Sequence, residues 1–155
     1  MKNKSISKRL LVATPTMIVC AVLALGSAAF AQSAAPDTNG RCSNRTLSGD
    51  YGFALTGEIL GPGFQLRGVV MQHYDGNGHI TQVDHVIDNG APPAQEWTPG
   101  SGTYSVNPDC TGSAVITSQS NPFPLVIHFV VVNQGKQINQ VVDANAVTAV
   151  GNRVN

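Results

Sequence analysis

From Leu47 onward the apolar residues of this chain recur at every second position, and no stretch holds them at the spacing of a helix face. A period of two is the signature of strands with one face turned inward. Tyr51, Phe53, Leu55 and Ile59 alternate with Asp50, Gly52, Thr56 and Glu58 in the first strand. After Gly61-Pro62-Gly63, the residues Phe64, Leu66, Val70 and Tyr74 share a face of the second. Asp75-Gly76-Asn77-Gly78 is a strong hairpin signal, because asparagine and glycine tolerate the positive φ of tight turns. The third strand runs from His79 to Asp88, and a fourth over Glu96 to Val106 is interrupted at Pro99-Gly100, as at a bulge or an edge. Ser113 to Ser118, Leu125 to Val132, Gln137 to Ala144 and Ala146 to Val150 complete the set. The pattern predicts an all-β fold, an antiparallel up-and-down meander of seven to eight strands. A closed barrel is favoured over a sandwich, since so many apolar strands would otherwise leave adhesive edges.

The first 31 residues stand apart. Lys2, Lys4, Lys8 and Arg9 precede an apolar run from Leu10 to Leu25, and Ala29-Phe30-Ala31 forms a small-x-small cleavage site. This is the layout of a signal peptide over 1–31, cleaved after Ala31, and it predicts a secreted or periplasmic protein. Lipidation at Cys20 is not expected, because Val19 precedes it and Ala21-Val22-Leu23 follows. Cleavage removes four of the nine basic residues and leaves five against nine acidic ones. With no basic stripe and no second long apolar run, neither nucleic acid nor a membrane is expected as a partner.

Export also decides the cysteines. Cys42 and Cys110 are the two left in the mature chain, and in an oxidising compartment they are expected to pair. Closing a loop of about 68 residues stabilises by roughly 4 kcal/mol in the chain-entropy model. The small, polar, proline-containing stretch after the cleavage site predicts a flexible leader over 32–46 that carries the first cysteine. Residues 47–155 form a single barrel domain. Asn44-Arg45-Thr46 matches a glycosylation sequon and is given no weight.

The opening Leu47-x-Gly-x-Tyr-Gly-Phe53, the Asp75 to Gly78 hairpin and the turn Gly102-Thr-Tyr-x-Val-Asn-x-Asp-Cys-Thr-Gly112 resemble a group of uncharacterised secreted bacterial all-β proteins. The closing Phe129-Val-Val-Val-Asn133 and Gly151-x-Arg153 fit the same pattern. The resemblance implies a small barrel similar to the allene oxide cyclase or calycin type, and brings no catalytic signature with it.

Histidines and carboxylates crowd one hairpin: His73, Asp75, His79, Asp84 and His85. If Asp75 to Gly78 is a four-residue loop, Tyr74 faces His79, and His85 falls opposite Gly68. His79, Val83, His85 and Ile87 then share a face, while His73 and Asp84 point the other way. Alternation splits the cluster, so no metal site is expected. Asp75 to Gly78 also lacks the spaced ligands of a calcium loop. His85, over a residue without a side chain, and His128, the one polar member of its strand, are candidates for proton transfer inside a barrel, with Tyr74 a third. Tyr51, Tyr104 and Trp97 are candidate ligand contacts, Trp97 being expected to plug a barrel end rather than to stand exposed. Arg67 and Glu58 are placed to pair across neighbouring strands. No Gly-x-Ser-x-Gly elbow, His-Glu-x-x-His run or phosphate loop is present, and no cofactor is expected.

Apolar strands thus outnumber polar convergence points. The sequence favours an exported barrel that binds a small apolar ligand or serves as a non-catalytic module. The alternatives are a cavity-based isomerase or cyclase, and a protein that self-associates through 125–132, a strand apolar on both faces.

Overall fold

The computed structural model describes residues 41–119 and 121–154. The predicted signal peptide over 1–31 and most of the expected leader lie outside these residues. The strands are β1 (Ser48–Ile59), β2 (Phe64–Asp75), β3 (His79–Asp88), β4 (Thr98–Val106), β5 (Thr111–Ser118), β6 (Leu125–Val132), β7 (Gln137–Val142) and β8 (Ala146–Arg153). Each pairs antiparallel with the next, and β1 also pairs with β8, so the meander closes into a barrel. The sandwich alternative is thereby set aside. Pro99 does not break β4: it pairs with Val83 on one side. On the other side its carbonyl accepts from Gln119 N–H at 3.4 Å, just past the end of the β4–β5 ladder at Ser118, an end position where a strand tolerates proline.

Closure tilts the strands and staggers them. Tyr51, at the first-residue end of β1, is level through Gln72, Gln82 and Gly100 with Ser118, the last residue of β5. Two phenylalanines fill the interior by lying across glycines directly opposite them, Phe53 over Gly151 and Phe129 over Gly112. A Cβ on either glycine would enter the ring, whereas one on the outward Gly52 would meet only Val154, at 3.8 Å. Gly151→Ala is therefore expected to cost about 1–3 kcal/mol in urea unfolding through overpacking, while Gly52→Ala stays within about 0.5 kcal/mol.

One end of the barrel is sealed. Tyr51, Tyr74 and Tyr104 stack edge to face there, with centroids 5.4 and 4.9 Å apart. Above them lies the chain from Cys42 to Leu47, with a single 3-10 turn at Asn44–Thr46 and Leu47 wholly buried. The Tyr104 hydroxyl donates to both Asn44 O (3.0 Å) and Leu47 O (2.9 Å), and Asn44 Oδ1 accepts from Val106 N at 2.8 Å. Tyr51 donates to the Gly135 carbonyl and accepts from Arg153 Nη2 at 2.9 Å. The leader expected to be flexible through residue 46 is thus packed structure from Cys42, because its backbone groups close the barrel floor.

Cys42 is bonded to Cys110, with Cα atoms 4.9 Å apart. Cys110 sits at φ 69°, an uncommon conformation for a side-chain-bearing residue, at the close of the Asn107-Pro108-Asp109 turn. The disulfide pins both the turn and the floor segment. Reducing it should lower unfolding stability by about 4 kcal/mol, read as a drop in urea midpoint between oxidised and reduced protein, and Cys42→Ser with Cys110→Ser should reproduce the loss.

Candidate functional site

The β2–β3 connection is three residues long, Gly76 to Gly78, not four, and Tyr74 pairs with Ile80. Asp75 enforces this: its Oδ1 accepts from the backbone N–H groups of His79 (2.9 Å), Asn77 (2.7 Å) and Gly78 (2.9 Å). These bonds hold its carboxyl below the usual carboxylate range. One residue of register turns every side chain of β3 over. His85 lies opposite Val69, and Val86 takes the place across from Gly68. The expectation that His85 projects into the barrel is therefore reversed: it points outward, its Nδ1 donating to Glu96 O at 2.6 Å.

The other histidines are outside too. His73 Nδ1 lies 2.8 Å from Asp50, His79 Nδ1 lies 3.3 Å from Asp75, and His128 Nδ1 lies 2.9 Å from Asp143. Neither His85 nor His128 reaches the interior, so neither stands where a candidate for proton transfer inside the barrel would lie. His73 and Asp84, expected on one face, are on opposite faces. Among the described residues no three His, Cys, Asp or Glu side chains gather to hold a metal. Tyr51 and Tyr104 are enclosed in the floor cluster and offer no surface to a ligand entering from solvent. Glu58 accepts from Gln65 Nε2 (2.9 Å) and Arg67 donates to Leu66 O (2.7 Å), so the expected cross-strand pair gives way to nearer partners.

The two ends differ in character. Loops at the sealed end carry glycine, asparagine, proline and aspartate: Gly76 to Gly78, Asn107 to Cys110, and Asn133 to Lys136. At the other end the connections and the first residue of β2 hold exposed apolar side chains, with Leu60 54%, Phe64 40%, Trp97 49% and Phe123 75% accessible. Trp97 is thus an exposed rim residue, its ring centroid 6.1 Å from that of His85, and not the plug expected of it. Below this rim the inward-facing Leu55, Leu125 and Val142 are only partly buried against the core. The barrel is filled from its floor and left accessible at its mouth.

Inside runs a chain of polar groups that hydropathy did not single out. The Tyr74 hydroxyl donates to Gln72 Oε1 (2.8 Å), Gln72 Nε2 to Gln82 Oε1 (3.0 Å), and Gln82 Nε2 to Asp84 Oδ2 (2.9 Å). All three acceptor-side residues are buried, Asp84 with 7% exposure. An ionised carboxyl has no proton to give, so Asp84 fixes the orientation of both amides and the direction of every bond back to Tyr74. Burial pushes the Asp84 carboxyl above its ordinary range, against the lowering effects of the Gln82 bond and of His85. Burial likewise pushes the Tyr74 hydroxyl far above its usual value and that of Tyr104 up to about 12, so both stay neutral donors. Among the described residues, two enclosed oxygens lack a hydrogen-bond partner, Gln140 Oε1 on β7 and Asp88 Oδ1 at the end of β3.

The chain matches no protein-family model, and no curated protein is significantly similar to it.

The raised Asp84 value fixes a sign. The native state holds this proton more tightly than the unfolded chain, so the Asp84 contribution favours folding below the ordinary carboxylate range and is lost as pH rises through the native value. Asp75 and Asp109, whose carboxyls are lowered by backbone and Thr111 hydrogen bonds, act in the opposite sense: their contribution is lost on acidification. Asp84→Asn should leave the protein at least as stable at neutral pH and steepen its acid destabilisation, since the opposing contribution is gone; urea midpoints across the acid range measure both.

Proposed function

We propose that the protein is an exported barrel that binds a small, mostly apolar molecule in its open end and carries out no chemistry on it. The observation that carries this reading is the contrast between the ends: a floor sealed by tyrosines, Leu47 and a disulfide, against a mouth ringed by Leu60, Phe64, Trp97 and Phe123. Soluble proteins bury such side chains or use them, and ligand sites are concave, mainly apolar and supplied with a few polar groups. The disulfide is compatible with an oxidising compartment, and the signal-like first 31 residues supply the route to it.

A second reading, self-association, has its own observation. Val115, Val126, Val130, Val141 and Val150 all face outward and stay well exposed on β5 to β8. A groove of about 520 Å³ on this side is lined by His128, Val130, Asn139, Val141, Thr148 and Val150, among others.

Mass spectrometry of the mature exported protein separates the two. The binding reading expects a native mass above the denatured one by the mass of a small molecule, or a blue shift of Trp97 emission when apolar compounds are added. Multiples of the subunit mass, abolished by Val130→Asp, would favour self-association. Equal masses together with an indifferent Trp97 would remove the binding reading.

A further inference from the structure

The mouth has two unlike walls. On β3 and β4, Asp84 and Thr98 are directly paired and both face inward, and Ser118 continues the polar side on β5. On β1, β6 and β7 the inward residues at the mouth are Leu55, Leu125 and Val142. Asp84 is more than nine-tenths buried, yet one amide hydrogen from Gln82 is its sole hydrogen bond among the described residues, and Oδ1 receives none. A carboxylate accepts up to about four hydrogen bonds, and Asp84 Oδ1, unlike Asp88 Oδ1 and Gln140 Oε1, is not fully enclosed, so its acceptor capacity stays open to what enters from solvent. Tyr74 gives its one proton to Gln72, and Gln72 and Gln82 each give one amide hydrogen in the direction of Asp84. Asp84 stands opposite Thr98, the first residue of β4, so its unfilled acceptor capacity lies at the mouth end of the chain of bonds.

Resting on the binding reading above, we propose that the molecule taken by this barrel is amphipathic. Its head is a hydrogen-bond donor, a hydroxyl or an ammonium, given to Asp84 Oδ1, and its apolar body lies against Leu55, Leu125 and Val142. The aligned chain from Tyr74 polarises each bond toward Asp84 and holds the carboxyl in place without meeting its remaining lone pairs. A carboxylate head is disfavoured at the same spot, since two acceptors would meet with no donor between them. Such a site sorts ligands by head group while accepting a range of apolar bodies, because a missing hydrogen bond discriminates far more strongly than one methylene.

The test holds the tail constant and changes the head. Octylamine, octanol and octanoate are titrated at neutral pH against the mature protein, followed by emission of Trp97, the single tryptophan of the chain, and by native mass. The proposal expects octylamine and octanol to bind about tenfold or more tightly than octanoate, the scale of one hydrogen bond to a charged group. Asp84→Asn should erase the preference of amine over carboxylate while keeping binding of the tail. Asp50→Asn, which alters an outward carboxyl, should keep the preference, and circular dichroism verifies the fold of each variant. Equal affinity for all three heads, or a preference that survives Asp84→Asn, overturns the donor-head inference and leaves the apolar-binding reading standing. If none of the three shifts Trp97 or adds mass, both fall.

Discussion

Everything in this protein depends on the hydrogen-bonded seam between β1 and β8. Eight antiparallel strands left open would present two unpaired edges, and the seam between Tyr51–Glu58 and Ala146–Arg153 removes both. Closure converts a two-faced sheet into an inside and an outside, which is why alternation can be obeyed by every strand at once. It also forces the stagger that carries a single level from the floor at Tyr51 to the mouth at Ser118. The interior glycines answer the same demand. Where Phe53 and Phe129 cross a strand, the residue beneath must lack a side chain, and Gly151 and Gly112 supply that space.

The barrel divides its labour along its axis. The floor holds the three tyrosines, the Arg153 guanidinium stacked 5.3 Å over the Tyr51 ring, and the Cys42–Cys110 bond. Each hydroxyl there is committed to a named partner. The mouth keeps partly buried leucines and a carboxyl with capacity to spare. Polar atoms inside a small barrel cost stability unless satisfied. The Tyr74–Gln72–Gln82–Asp84 chain links its members as far as Asp84, whose Oδ1 accepts nothing, while Asp88 Oδ1 and Gln140 Oε1 are the enclosed oxygens left without a partner among the described residues.

Strand positions were legible in the sequence because turns announce themselves: β3 and β6 fall where His79–Asp88 and Leu125–Val132 place them. The cysteine pair was legible from the signal-like first 31 residues and from elimination, and Cys42 and Cys110 are bonded. What could not be read was which face of β3 is inside. His79, Thr81, Val83, His85 and Ile87 on one face, and Ile80, Gln82, Asp84, Val86 and Asp88 on the other, are about equally mixed in polarity, so hydropathy does not choose between them. Loop length chooses, and it rests on whether Asp75 belongs to the strand or the turn. The Asp75 carboxylate, gathering three backbone N–H groups, closes a three-residue loop, and with that residue the interior changes from His85 to Asp84. The same ambiguity hid Gln82, while Gln72 already shared a face with Val70 and Tyr74 on β2 and was passed over as polar. Trp97 was misplaced for the same reason as Gln82: the outward His85 holds Glu96 O and meets the Trp97 ring at 6.1 Å, so the place of Trp97 follows from the face that β3 turns out.

An even number of strands brings the end of β8 back to where β1 began. Arg153 pairs with Tyr51, and Val154 N–H donates to Asp50 O, so the C-terminal residues leave from the floor, where Cys42 also enters. Both chain termini of the domain therefore exit on the side away from the mouth. Anything joined to either one, whether a tag, a linker to a solid support or a fused domain, would hang below the barrel and hold the opening toward free solution. The fold is in this sense a cup with its handles on the base: it can be immobilised from either terminus without covering its rim.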